Sequence, residues 1–176
     1  MNKITLILGG ARSGKSSYAL ELAKKYKKVA FLATCQALDR EMDDRIKRHK
    51  QARPSGWKTF EEPHEIIGCL QKIDKSFECI VVDCLTLLVS NLMLKKYGEG
   101  NIEGKMEEFF CWLKKHNRQA IIVSNEVGLG VVPVTKLGRD FRDIAGKVNQ
   151  IASTRSDEVF FMVSGIPMRI KKGTQT

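Results

Sequence analysis

The chain has 176 residues, 43% hydrophobic and 28% charged, and its 30 Lys and Arg against 20 Asp and Glu leave a formal charge of +10. These values fit one globular domain, residues 1–176, large enough to fold without disulfide staples. No apolar run approaches the roughly 20 residues of a membrane span, and the N-terminus reads as a strand, not a signal peptide; the five cysteines, odd in number and without a CxxC pair, argue against a zinc site and for free thiols in a reducing cytoplasm.

The first predicted strand is residues 4–8, Ile-Thr-Leu-Ile-Leu. It runs into Gly9-Gly10-Ala11-Arg12-Ser13-Gly14-Lys15-Ser16, which fits G-x-x-x-x-G-K-[ST] in full, and then into a helical pattern over residues 17–25. Strand, glycine loop and helix in that order are the context of a phosphate-binding loop. Glycines at both ends let backbone N–H groups converge on phosphate oxygens, and the helix N-terminus adds its partial positive charge. In such a loop Lys15 reaches the β- and γ-phosphates and Ser16 ligates Mg2+. The motif implies a bound nucleoside triphosphate and leaves its use open.

Residues 29–33 form the second predicted strand, ending at Thr34 and Cys35. Beyond it, Leu38, Met42, Ile46, His49 and Arg53 fall close to one helical stripe. His49 sits among Arg45, Lys47, Arg48, Lys50 and Arg53. That cationic neighbourhood disfavours imidazolium and leaves a neutral, nucleophilic ring beside charges able to hold a triphosphate. The commoner reading of such a histidine is an exposed bystander, and His64 and His116 have no other reading. Helical spacing recurs at Ile66, Ile67, Leu70 and Ile73.

Residues 79–83 make the third strand and close on Asp83, which is placed as a Walker-B acid that holds Mg2+ directly or through water, or as a cap for the next helix. That helix carries Leu85, Leu88, Val89, Leu92 and Met93. Residues 97–104, with Gly98, Gly100, Asn101 and Gly104, are predicted as a loop, followed by a helix bearing Met106, Phe109, Phe110 and Leu113. The fourth strand, residues 120–124, leads into Asn125-Glu126-Val127-Gly128. There Glu126 is a candidate to orient an acceptor hydroxyl or bind metal, or is an ordinary loop acid. A long helix over residues 136–154 has Leu137, Phe141, Ile144, Ala145, Val148 and Ile151 on its apolar face, and residues 159–163 are the fifth strand.

Short, nearly continuous β-branched runs alternating with helices imply an α/β fold, a mostly parallel central sheet flanked by helices and joined by right-handed crossovers. Ligands then bind at the carboxyl ends of the strands. The Asn-Lys-x-Asp element of Ras-like GTPases does not occur, and residue chemistry does not choose between ATP and GTP. Basic clusters at residues 24–28, 45–58 and 169–172 allow a nucleic-acid reading, a site that holds several phosphates, or a solvated surface; no aromatic-interleaved basic motif supports the first.

In chain order, Gly9 to Ser16, Ala33-Thr34-Cys35, Asp43-Asp44-Arg45-Ile46-Lys47-Arg48-His49 with Arg53-Pro54 and Trp57, Asp83-Cys84-Leu85-Thr86, Asn125 to Pro133 and Phe141 to Gln150 form a set. Over about residues 3–172 it resembles the bifunctional adenosylcobinamide kinase/adenosylcobinamide-phosphate guanylyltransferase family (CobU/CobP). The resemblance implies a RecA-like P-loop NTPase fold and a homotrimer acting in adenosylcobalamin biosynthesis and corrinoid salvage, on small molecules, without nucleic acid or membrane insertion. It implies two reactions. A nucleoside triphosphate, GTP or ATP, phosphorylates adenosylcobinamide; then GTP donates GMP to adenosylcobinamide phosphate, giving adenosylcobinamide-GDP and pyrophosphate. It further implies that His49 carries GMP covalently while Lys15 stabilises the departing pyrophosphate. GTP contacts by the same matching fall on Gly9, Gly10, Ala11, Arg12, Ser13, Gly14, Lys15, Ser16, Ala33, Thr34, Cys35, Lys50, Gln51, Ala52, Arg53, Glu61 and Asp83, with Ser16 and Asp83 at the metal. Leu88 stands where a tryptophan is expected. Two other functions remain as alternatives: a RecA-like nucleic-acid-stimulated ATPase, and a family member that keeps only the kinase.

Overall fold

Apolar residues on successive positions of several short runs need cover on both faces, and the chain supplies it by placing helices on either side of one sheet. In the computed structural model, which describes residues 3–36, 46, 47, 50, 51 and 53–173, the order is β1 (Ile4–Gly9), α1 (Lys15–Ala23), β2 (Val29–Ala33), β3 (Lys58–Glu61), α2 (Ile66–Lys72), β4 (Cys79–Asp83), α3 (Leu85–Leu94), α4 (Glu99–Lys115), β5 (Gln119–Val123), α5 (Lys136–Arg155), β6 (Glu158–Val163) and β7 (Ile166–Lys171). The seven strands lie in the order β3-β2-β4-β5-β1-β6-β7. All neighbours run parallel except the β6–β7 hairpin.

Side chains alternate between the two faces of a strand, and the core divides accordingly. Leu6, Leu8, Leu32, Ile80, Val82 and Ile122 pack with residues of α2, α3, α4 and α5. Ile7, Phe31, Val81, Ile121 and Val123 pack with Ala19 and Ala23 of α1. Small alanines on α1 let that helix lie close over β1, β4 and β5. A fully buried Leu or Ile in these layers contributes roughly 1.5–3 kcal/mol.

The five predicted strands and the long C-terminal helix are present. Four details differ. β3 reads Lys-Thr-Phe-Glu, too polar to stand out, and forms because an edge strand needs burial on little more than one face. β7 is the other edge, where Pro167 is tolerated; Ser164 and Gly165, both at positive φ, make the two-residue turn from β6. Residues 99–104 are the first turns of α4 and not a loop. Ile102 there is fully buried in line with Met106 and Phe109, Gly100 and Gly104 face open space, and Glu99 and Glu103 pair with Lys147 of α5. Packing overrides glycine's weak helix propensity. Leu137, placed on the apolar face of α5, is 61% exposed, because it sits in the first turn, beyond the sheet. Within the predicted basic helix, residues 46, 47, 50 and 51 are helical. Leu38, Met42, His49 and Ala52 lie outside the described residues. Leu88 is a fully buried core residue of α3.

Candidate active site

Parallel register brings the carboxyl ends of five strands to one edge. Ala33 pairs with Glu61 on one side and Asp83 on the other; Asp83 pairs with Val123, and Val123 with Ile7. The glycine loop leaves β1 at this edge. Gly9 has φ 148° and Gly14 φ 94°, conformations suited to glycine, and Gly14 is the N-cap of α1. Arg12 also takes a positive φ, 55°. Lys15, the first residue of α1, is buried and donates to Gly10 O and, at 3.4 Å, to Ser13 Oγ. The lysine is thus folded over the loop. Ser13 O accepts from Gly165 N at 3.0 Å, which ties the loop to the β6–β7 turn.

β2 is followed by Thr34, whose hydroxyl donates to Cys84 O at 2.7 Å and accepts from Cys84 N at 2.9 Å. Asn91 of α3 donates to Thr34 O at 2.8 Å. These bonds lock the ends of β2 and β4 together. Asp83 is half-buried and is the last residue of β4, while the N-cap of α3 is Cys84; the capping alternative for Asp83 is not what the chain adopts. Burial first, and then the Asp83 charge, push the Cys84 thiol up to about 12 against a weaker pull from Lys15. The loop lysine and the strand-end acid therefore both act on Cys84.

The basic segment returns to the same edge. Arg53 stacks 3.6 Å over the Phe31 ring and donates to Thr59 Oγ1 at 2.9 Å. Burial lowers its pKa, while Asp83 and Glu61 pull it back up; a guanidinium stays charged through such a change. Lys50 pairs with Glu61. Gln51 is exposed and Cys35 half-buried. The structure thus gathers the glycine loop, Ala33 to Cys35, Lys50, Arg53, Glu61 and Asp83 along the carboxyl edge of β1 to β4. His49 and Ala52, flanking these cations in the chain, lie outside the described residues.

Sequence reasoning did not single out a buried polar chain beside the loop. Asn125 N donates to Thr86 Oγ1 at 2.6 Å, Thr86 and Ser124 hydroxyls are 3.0 Å apart, and Ser124 donates to Asn149 Oδ1 at 2.7 Å. Asn149 Nδ2 donates to Asn125 O at 3.0 Å and to Glu126 Oε2 at 3.3 Å. The available signal was polar residues within apolar stretches: Ser124 at the end of a buried strand, Asn149 on the inner face of α5. This chain physically joins the Asp83–Thr86, Asn125–Pro133 and Phe141–Gln150 blocks of sequence.

Ser16 and Asp83 offer hard oxygen donors of the kind Mg2+ takes, usually one or two from protein with the rest from phosphates and water. Among the described residues no group of three or more His, Cys, Asp or Glu could hold a metal ion.

A parallel sheet with the loop strand β1 separated from the Asp83 strand β4 by β5 is the P-loop NTPase fold of the RecA-like kind. Solved structures similar to it include the RadB recombinase (TM-score 0.53, 19% identity, 90% of this chain and 73% of that one) and a KaiC-like protein of Pyrococcus horikoshii OT3 (0.53, 12%, 90% and 70%). At such identities the likeness carries the fold and no activity. The sequence narrows the class: the model of the cobinamide kinase / cobinamide phosphate guanyltransferase family matches residues 5–170, and the chain belongs to that family. Curated relatives include the bifunctional adenosylcobalamin biosynthesis protein CobP of Pseudomonas aeruginosa, 42% identical over 94% of this chain and 96% of the relative. The CobU proteins of Escherichia coli K12 and Salmonella typhimurium are 35% and 36% identical, each over 94% of this chain and 98% of the relative.

Proposed function

We propose that the chain is a bifunctional enzyme of adenosylcobalamin biosynthesis, acting as one catalytic domain. It phosphorylates adenosylcobinamide with a nucleoside triphosphate and then transfers GMP from GTP to adenosylcobinamide phosphate. The observation that carries this reading is the family match across residues 5–170 together with the convergence of the glycine loop, Asp83, Arg53 and Lys50 on one sheet edge. The nucleic-acid-stimulated ATPase alternative is not favoured by these relatives, nor is the kinase-only one.

In the kinase step the loop amides and Lys15 hold the transferred phosphate in line with an acceptor hydroxyl. In the transfer step neutral His49 attacks the α-phosphorus of GTP and pyrophosphate leaves, its charge held by Lys15 and the loop. The substrate's phosphate then displaces histidine from GMP. Arg53 and Lys50 keep the triphosphate beside the histidine that precedes them. A bound Mg2+, held by Ser16 and Asp83, would neutralise phosphate charge. Three such chains form a homotrimer, which works on small molecules in the cytoplasm and not on nucleic acid.

Incubation with α-labelled GTP tests the reading. Wild type should retain label that is acid-labile and base-stable, and His49→Ala should retain none; label kept by that variant would remove His49 from the mechanism.

A further inference from the structure

β5 lies between β1, which ends in the phosphate loop, and β4, which ends in Asp83. The chain leaving β5 therefore emerges between the two. Glu126, three residues past that strand, is seated on the loop: its N–H donates to Gly9 O at 3.0 Å. Its carboxylate accepts from Gly128 N at 2.9 Å through Oε1 and from Asn149 Nδ2 at 3.3 Å through Oε2. A carboxylate has about four acceptor sites, so two hydrogen bonds aim this one and leave capacity for a third partner.

The aim is set by a chain of hydrogens with one possible direction. Asn149 Oδ1 is a carbonyl oxygen and only accepts, so the Ser124 proton points at it. Ser124 can then only accept from Thr86, whose other lone pair takes Asn125 N–H. Asn125 O and the Glu126 carboxylate only accept, so the Asn149 N–H groups face them and leave Oδ1 to Ser124. Thr86, Ser124 and Asn149 are all buried, where such a network is held rigidly.

We propose that Glu126 receives the proton of the acceptor hydroxyl in the kinase step, and that Asn149 is the positioning residue that aims it. This rests on the reading above that the chain phosphorylates an alcohol. The hydroxyl oxygen bonds to the γ-phosphorus; the bond from that phosphorus to the bridging oxygen breaks, its electron pair leaving on the nucleoside diphosphate. The hydroxyl proton passes to the Glu126 carboxylate and then to water. GMP transfer needs no such base. Its first nucleophile is a neutral histidine, and its second is a phosphate monoester, whose second pKa of about 6 leaves it ionised at neutral pH.

The two halves therefore come apart in Glu126→Gln, which keeps an acceptor for Gly128 N but gives up the Asn149 bond and loses basicity. Three quantities are measured on the full chain: phosphorylation of adenosylcobinamide, protein labelling by α-labelled GTP, and GMP transfer to supplied adenosylcobinamide phosphate. The expected result is a fall of about 10²- to 10⁴-fold in the phosphorylation kcat, with labelling and transfer within threefold of wild type. Asn149→Ala should lower the same kcat about tenfold and leave KM for the nucleotide unchanged. Phosphorylation within threefold of wild type in Glu126→Gln overturns the proposal, as does parallel loss of all three activities, which marks a structural role. A wild type that takes no GMP from GTP removes the guanylyltransferase half of the proposed function and leaves this inference standing on the kinase data; a wild type that phosphorylates no corrinoid alcohol overturns both.

Discussion

A Cβ at Gly9 would come within 2.7 Å of both Met162 O and Ser13 Oγ, at a φ of 148° that side chains rarely adopt, whereas one at Gly10 meets nothing within 4 Å. Gly9→Ala should therefore cost about 1–3 kcal/mol of stability in strain and distort the loop, while Gly10→Ala folds like wild type; urea midpoints of the pair check this. Arg53 joins charge, a planar stack on Phe31 and a fixed bond to Thr59, a set that lysine does not reproduce. Arg53→Lys should weaken GTP labelling about tenfold, equivalent to ~1.4 kcal/mol, with unfolding nearly unchanged, and an unaltered labelling constant would take Arg53 out of the triphosphate site. The Cys84 and Cys79 thiols, both raised to about 12 by burial first, are almost wholly protonated at pH 8 and so poor nucleophiles. Iodoacetamide should modify exposed Cys111 in the native protein and reach Cys84 and Cys79 after denaturant is added, as peptide mapping can read.

α2 is seven residues long and begins without a side-chain cap at Glu65. Glu62 serves it from outside: its Oε1 accepts from His64 N and Glu65 N, each at 2.9 Å. Burial alone pushes the Glu62 carboxyl up, but the Glu65 and His64 N–H bonds outweigh it and leave the pKa below the ordinary 4.5. A carboxyl depressed on folding contributes stability that is complete above its unfolded pKa and is lost as pH falls through the folded value. Glu62→Ala should thus lower the urea midpoint at pH 7, by about 1 kcal/mol as for a lost cap, and the gap to wild type should narrow below about pH 4 as the wild-type carboxylate protonates. Such caps mark the boundary of what sequence could reveal. Strands buried on both faces declare themselves as apolar runs, so β1, β2, β4, β5 and β6 were legible; β3 and β7 are edges, whose polar or proline-bearing sequences give no run. The start of α4 was hidden by Gly100 and Gly104 because the compensation, Ile102 in the core and Lys147 across α5, is tertiary. The glycine loop and Asp83 were legible for a local reason, as a contiguous motif and a strand end. Asn149 and Ser124 are 25 positions apart and become one network when α5 packs over the end of β5.

At the scale of the whole molecule, two exposed apolar surfaces remain among the described residues. Ile166 and Met168 share one face of β7, at 66% and 53% exposure, and Ile170, the extra residue of the bulge opposite Val159 and Phe160, is 60% exposed, on a strand that is the last of its sheet. Leu129, Val131, Val132, Val134 and Leu137 form the second, along the loop into α5. Patches of this kind, and apolar edge strands above all, invite association. A threefold ring closes through a heterologous contact, which needs two different surfaces that fit each other; the described residues offer two. The proposed homotrimer would seat the β7 face of one copy on the 129–137 segment of the next. Light scattering after gel filtration should then give about three times the 19.9 kDa chain mass, and Ile170→Asp or Val131→Asp should each release monomers. Mixing the two variants discriminates further: Ile170→Asp keeps a sound 129–137 segment and Val131→Asp a sound β7 face, so one contact forms and a dimer results, without ring closure. Variants that stay trimeric, or a mixture that remains monomeric, would show that these surfaces do not meet.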